Sequence, residues 1–315
     1  MLLKLEKILK ENLINMILII SNNKEITTAY IIGWLIKMGK NFIRVQEDEI
    51  FEIKVHKKRV YIKSHRNQFF LDEITSVWYR RGELRFQRNQ YNNTSINIHM
   101  NEAQHWLEDY VIQTLESKKH INKQSNCHVN KLLVLELAQK VGLDVPKFYL
   151  AENTDEVVLE RTITKSITGN VILESLKENS DGIMYTKVIN NREKKDFFIS
   201  FFQEKIEKDF EIRSFYLNGQ IWSMAIFSQN DEQTKTDFRK YNIEKPNRNV
   251  RYNLPKDIEQ KIQLLMQSLD LNCGSLDFMK NGNKYYFLEV NPIGQFGNVS
   301  SDCNYFLEKE IAQYL

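Results

Sequence analysis

Gly274-Ser-Leu-Asp277-Phe-Met and Tyr285-Tyr-Phe-Leu-Glu289-Val-Asn291-Pro292, separated by Asn281-Gly282-Asn283, form the stretch that decides how this chain is read. Two apolar runs flanking an Asn-Gly turn signal predict a β-hairpin. Strand side chains alternate, which puts Glu289 and Asn291 on one face with Phe287 and Tyr285. A three-residue loop centred on Gly282 sets Asp277 opposite Phe287. Glu289 is then its diagonal neighbour, roughly 7–8 Å away. Asp277, Glu289 and Asn291 together offer only oxygen ligands, a set suited to Mg²⁺ with water and phosphate completing the shell. The plainer alternative is three solvated residues near a turn. Against it stands the apolar run Tyr285–Leu288, because a carboxylate in a half-buried strand is costly unless paired or metal-bound.

Composition bounds the rest. The chain has 315 residues, 42% hydrophobic and 27% charged, enough for two or three α/β subdomains with cores of their own. A net charge of +3 argues against nucleic acid or a membrane as the partner. Cys127, Cys273 and Cys303 lie far apart, which fits reduced thiols in a cytoplasmic protein better than a disulfide framework or a zinc site. No apolar run approaches the roughly 20 residues needed to span a bilayer. The charges among the first fifteen residues leave no signal-peptide core.

Along the chain, residues 2–14 pattern as an amphipathic helix, and Met16–Ser21 as a buried strand. A helix is expected over Ile26–Met38, short strands over 42–45, 50–55, 59–64 and 76–79, and a long helix over 99–122. A second unit begins near Asn126 with helix 130–141 ending at Gly142, a C-cap signal. Strands follow over 145–150, 162–167, 183–188, 198–203, 210–216 and 220–227, then helix 256–269, the hairpin, and a closing helix over 305–315.

Two further segments carry chemistry. In Gln203-Glu204-Lys205-Ile206-Glu-Lys-Asp-Phe-Glu211-Ile-Arg213, a strand runs through a linker into another strand. The exposed backbone of such a linker suits a purine edge, and Glu211 suits ribose hydroxyls. A solvated edge of charges is the competing reading. In Asp237-Phe-Arg239-Lys240-Tyr241-Asn242, a guanidinium can hold phosphate oxygens in a fork. An ordinary basic loop is the competing reading there.

The order of these segments resembles the ATP-grasp superfamily over about residues 125–300, and its ribosomal-protein glutamate ligase in particular. A nearer resemblance, over nearly the whole chain after Met16, is to the microviridin-type or "grasp-with-spasm" (graspetide) peptide maturases. It is carried by Ser76-Val-Trp-Tyr-Arg80-Arg81, Ala225-Ile-Phe-Ser-Gln229, Thr236-Asp-Phe-Arg-Lys-Tyr-Asn242 with Lys245-Pro-Asn-Arg-Asn249, Leu288-Glu-Val-Asn-Pro-Ile-Gly-Gln-Phe-Gly297, and Asn304-Tyr-Phe-Leu-Glu-Lys-Glu-Ile-Ala312. Arg251 departs from the expected proline, in a segment expected to be a loop near substrate.

The resemblance implies an α/β (α+β) ATP-grasp fold. It places an extension over 1–15, an open α/β pre-grasp domain over 16–124, a central subdomain over 125–202 and a C-terminal subdomain over 203–315 enclosing ATP. It implies nucleotide binding by Lys131, Lys165, Gln203, Glu204, Lys205, Ile206, Glu211 and Lys240, and catalysis by Arg213 and Arg239. Asp277, Glu289 and Asn291 would hold Mg²⁺, with Mn²⁺ as the alternative ion. The implied reaction joins Asp or Glu carboxylates of a ribosomal precursor peptide with a helical leader to Thr, Ser or Lys side chains through an acyl phosphate. A ligase adding glutamate-like amino acids to a protein or peptide is the alternative. The resemblance is also compatible with a homodimer. Residues 2–14 have two readings: an intramolecular mimic of the leader helix, or a simple extension.

Overall fold

The computed structural model describes residues 15–168, 172–177, 180–183, 185–190, 196–229 and 242–315. The expected helix over 2–14, and the segment carrying Arg239 and Lys240, lie outside the described residues.

The chain forms two compact units, one running up to Cys127 and including Phe306–Leu315, the other spanning His128–Tyr305. In the first, β1 (Met16–Ile20), β2 (Asn41–Val45), β6 (Ile74–Tyr79) and β8 (Lys119–Ile121) make a parallel sheet in the order β2-β1-β6-β8. Ile17 to Ile20 form an unbroken buried run, as expected for a parallel strand covered on both faces. A second sheet holds β3 (Ile50–His56), β4 (Arg59–Lys63), β5 (Gln68–Phe70) and β7 (Arg85–Phe86). Helix α1 (Ile26–Lys37) follows β1.

The long helix differs from its expected bounds. Helix α2 spans Thr94–Glu116, because the Asn93 side chain caps it by accepting from the Ile96 N–H at 3.1 Å. Residues 119–121, expected to be helical, pair with β6 instead.

The second unit opens with α3 (Lys131–Lys140), whose first turn is capped by the Asn130 side chain. Next come β9 (Phe148–Asn153), β10 (Thr162–Thr164), β11 (Ile172–Lys177), β12 (Ser180–Ile183), β13 (Lys187–Val188) and β14 (Asp196–Glu204). Strand β9 starts three residues later than expected, after Pro146, which has no N–H for the ladder. One sheet has the order β13-β10-β14-β9, and β11-β12 is a separate hairpin.

The sheet that positions the site contains β15 (Phe210–Leu217), β16 (Gln220–Phe227), β17 (Arg248–Tyr252), β18 (Cys273–Asn281) and β19 (Lys284–Asn291). Its order is β17-β16-β15-β18-β19, antiparallel throughout. Helices α3 and α4 (Lys256–Ser268) bury Val134, Leu135, Ile262 and Leu265 together with Ile212, Leu276, Phe278 and Phe287. This apolar face drives the sheet's assembly, since each fully buried aliphatic or aromatic side chain contributes about 1.5–3 kcal/mol.

Helix α5 (Gly297–Asp302) follows the hairpin, and α6 (Leu307–Tyr314) ends the chain. Residues 306–315 were expected with the C-terminal subdomain, but they fold with the first unit. The apolar stripe Leu307, Ile311 and Ala312 is buried, and Lys40 donates to the Ala312 carbonyl at 2.9 Å. Arg251 is also not in a loop. It lies on edge strand β17, donates to the carbonyls of Cys303 and Asn304 just past α5, and covers the Tyr305 ring at 4.9 Å. Among the described residues, no helix is long and apolar enough to cross a membrane.

Candidate active site

Arg213, Asp277 and Glu289 lie in one row across three adjacent strands. Arg213 of β15 pairs in register with Asp277 of β18, which pairs in turn with Glu289 of β19. The hairpin turn is shorter than expected: Asn281 pairs with Lys284, leaving a two-residue Gly282-Asn283 turn with Gly282 at φ 53°. A β-bulge between Asp277 and Phe278 then absorbs one extra residue of β19. Asp277 therefore faces Glu289 directly instead of Phe287. The bulge also splits the face expected to be shared. Phe287 and Val290 enter the core with Tyr285 packed against it, while Leu288 lines a cavity beside the carboxylates.

Each carboxylate has its own cation. Arg213 Nη1 donates to Asp277 Oδ1 at 2.9 Å and to Oδ2 at 3.0 Å. Arg213 is itself oriented by the Gln295 carbonyl, which accepts from Nη2 at 2.8 Å and from Nε at 3.1 Å. Lys131, at the start of α3, places Nζ 3.0 Å from Glu289 Oε2. Asn291 donates from Nδ2 to Glu289 Oε1 at 3.2 Å. Lys165 acts electrostatically on both carboxylates.

These surroundings drive the two acids apart. Burial pushes the Asp277 carboxyl up, the Arg213 charge opposes that rise, and the Glu289 charge adds to it. Burial also acts upward on Glu289, but Lys165 and Lys131, with the Asn291 hydrogen bond, bring it down to about 2. Asp277 and Glu289 thus present two adjacent carboxyl groups in one register row of the sheet. Together with the oxygen of Asn291, this donor set fits a hard divalent ion of the Mg²⁺ type. Among the described residues, no group of three His, Cys, Asp or Glu side chains offers a competing metal site.

Next to this row is a cavity of about 170 Å³. Gln203, Glu204, Lys205 and Ile206 from the expected nucleotide segment line it, with Met279 and Leu288. Gln203 is fully buried, and among the described residues neither its Nε2 nor its Oε1 finds a hydrogen-bond partner. Leaving such groups unmade costs about 1–3 kcal/mol each. A buried amide with both senses unused in a cavity wall fits a heterocycle that presents a donor beside an acceptor, as adenine does.

The structure thus brings Arg213, Asp277, Glu289, Asn291, Lys131 and Lys165 together, and places Gln203 to Ile206 in the neighbouring cavity wall. Glu211 lies on the same strand as Arg213, two residues away, and is paired with Lys208. Sequence reasoning missed Lys208 and Gln295. Lys208 is one charge among several in the linker. Gln295 acts through its carbonyl, which any residue type supplies. The available signal was Gly294, where an added Cβ would sit 2.6 Å from the Ser275 Cβ, so only glycine lets this loop close onto the sheet.

No protein-family model and no curated protein matches the chain. Solved structures do. A RiPP-associated ATP-grasp ligase of Chryseobacterium gregarium, in complex with ADP and a leader and core peptide, is 24% identical, with TM-score 0.74 over 95% of each chain. The macrocyclase MdnC of Microcystis aeruginosa MRC, bound with precursor peptide MdnA, is 24% identical, with TM-score 0.72 over 95% of this chain and 99% of that one. The ATP-grasp ligase PsnB, complexed with a phosphomimetic variant of a minimal precursor, Mg and ADP, is 12% identical, with TM-score 0.67 over 95% and 97%. The chain has the ATP-grasp ligase fold of these proteins, over both of its units.

Proposed function

We propose that this protein is an ATP-dependent peptide macrocyclase. It would join Asp or Glu side-chain carboxylates of a ribosomally made precursor to Thr or Ser hydroxyls, or Lys amines, of the same peptide. The observation that carries this reading is the Arg213–Asp277–Glu289 row, flanked by Lys131 and Lys165 and adjoining the Gln203 cavity. The likeness to ligases bound to ADP and to leader, core or precursor peptides supports the choice of substrate. The division of the second unit near residue 202, Arg239 and Lys240 as phosphate contacts, a helical leader and a homodimer belong to the same proposal.

In this mechanism the chain binds, orients and neutralises. Gln203 and the Glu204–Ile206 linker hold the adenine, and Glu211 holds the ribose. Lys131 and Lys165 meet the α- and β-phosphates. Asp277, Glu289 and Asn291 would hold Mg²⁺, which supplies positive charge against the phosphate oxygens. A peptide carboxylate oxygen attacks the γ-phosphorus, the bond to the β-phosphate oxygen breaks, and ADP leaves. Arg213 steadies the transferred phosphoryl group by charge and forked hydrogen bonds. The hydroxyl or amine then attacks the acyl carbon, its proton passes to solvent, and phosphate departs with the former carboxylate oxygen. Phosphorylation is needed because a carboxylate has no good leaving group. The remaining demand is positioning, worth as much as about 7–11 kcal/mol when reactants are held in line.

The test is mass spectrometry of any Thr- and Asp/Glu-rich peptide that a neighbouring reading frame encodes, incubated with ATP and Mg²⁺. Successive losses of one water per linkage with matching ADP release support the reading. No water loss from the peptide alone, with a mass gain when free glutamate is added, would favour the amino-acid ligase.

A further inference from the structure

Lys208 in the linker and Glu211, the second residue of β15, form an ion pair, with only 3% and 8% of their side chains exposed. Two opposite charges are buried here beside a cavity, and Lys208 itself lines that cavity. A buried carboxylate left alone would be strongly unfavourable, so the lysine fixes both its charge and its position.

The place of the pair in the sheet gives it meaning. Glu211 pairs in register with Met279, a cavity-lining residue, and Arg213 pairs with Asp277 at the charged end of the site. Residues 211 and 213 share one face of the strand, about 6.8 Å apart. Glu211 therefore lies between the wall suited to a base and the row suited to phosphates. In a nucleotide, the sugar occupies that interval by covalent order.

We propose that Lys208 is a positioning residue for sugar recognition, holding the Glu211 carboxylate where it accepts hydrogen bonds from the ribose hydroxyls of ATP. This rests on the nucleotide-site reading above. Lys208 acts through Glu211, and its loss is expected to remove selectivity for the hydroxyls.

The experiment is calorimetric binding of ATP and of 2′,3′-dideoxy-ATP, each with Mg²⁺, to the full chain. The wild type is expected to favour ATP roughly 10- to 100-fold, the range for hydrogen bonds to a charged group. Glu211→Gln and Lys208→Met should each bring that ratio near one, while Lys208→Arg keeps most of it. The double variant Lys208→Met/Glu211→Gln removes both charges, which is often neutral for stability. It should melt close to wild type and show the same collapsed ratio as Glu211→Gln. If Lys208→Met weakens both nucleotides equally and keeps the ratio, the positioning role is overturned. A wild type that binds both nucleotides equally overturns the ribose contact while leaving the nucleotide site standing. A wild type that binds neither brings down the nucleotide reading and this inference with it.

Discussion

Asp277 and Glu289 face each other across the β18–β19 ladder, the first held by Arg213 and the second by Lys131. Replacing either acid with its amide should remove divalent-ion support for the phosphates. Asp277→Asn and Glu289→Gln are each expected to lower turnover by about 10²–10³-fold, the size of losing one preorganised electrostatic contact. Far-UV circular dichroism should stay unchanged. Chelation of Mg²⁺ should abolish wild-type turnover. Residual metal-independent turnover would count against this pair as the metal site.

Gly294 closes the loop that presents the Gln295 carbonyl to Arg213. Gly294→Ala puts a methyl group 2.6 Å from the Ser275 Cβ, so the loop must shift. The expected cost is about 1–3 kcal/mol in denaturant unfolding, as for other overpacked sites. Turnover should fall further than stability explains, because Arg213 loses its orienting acceptor. Wild-type turnover in this variant would show that Gln295 does not matter.

Gln203 should show a trade of stability for binding. Gln203→Leu removes two unsatisfied buried groups and keeps the side chain's bulk. The nucleotide-free variant is expected to gain about 1–2 kcal/mol in unfolding free energy. Its ATP affinity should drop about tenfold, the equivalent of one good hydrogen bond. Lower stability with unchanged affinity would contradict the assignment.

In the first unit, Glu25 accepts from Arg81 Nε at 2.7 Å and from Arg80 Nη2 at 3.3 Å. Burial works to raise its pKa, but the Thr27 hydrogen bond and the two arginines outweigh it, leaving the value below the usual 4.5. A carboxylate lowered on folding contributes stability above its unfolded pKa and loses it as pH falls through the folded value. Glu25→Gln should therefore destabilise at pH 7, by roughly 3 kcal/mol for breaking a buried pair. The gap to wild type should narrow as pH drops below 4.5. A gap that persists unchanged at low pH would remove the charge from the explanation.

The site's chemistry was legible where it rests on residue type in short sequence. Asp277, Glu289 and Asn291 could be grouped from one hairpin, and the apolar run before Glu289 argued that its charge needed a partner. Their register was not legible. A two-residue turn alone would set Asp277 opposite Leu288, and the bulge that brings Glu289 there answers to core packing by Phe287 and Val290. The last ten residues were misplaced for a similar reason. Their helical stripe was visible, but its partner helix lies at the opposite end of the sequence. Helix α2 ran late in the sequence reading because the Asn93 cap sits among polar residues that resemble a loop. Lys208 stayed hidden because only burial separates it from its charged neighbours.

The central claim is that a peptide carboxylate attacks the γ-phosphate of ATP, and the oxygen of that carboxylate tests it most directly. A precursor carrying heavy oxygen in its Asp and Glu carboxylates should be incubated with the protein, Mg²⁺ and unlabelled ATP in ordinary water. One labelled oxygen is expected in the released phosphate for each water lost by the peptide. Ring formation with unlabelled phosphate would contradict the account.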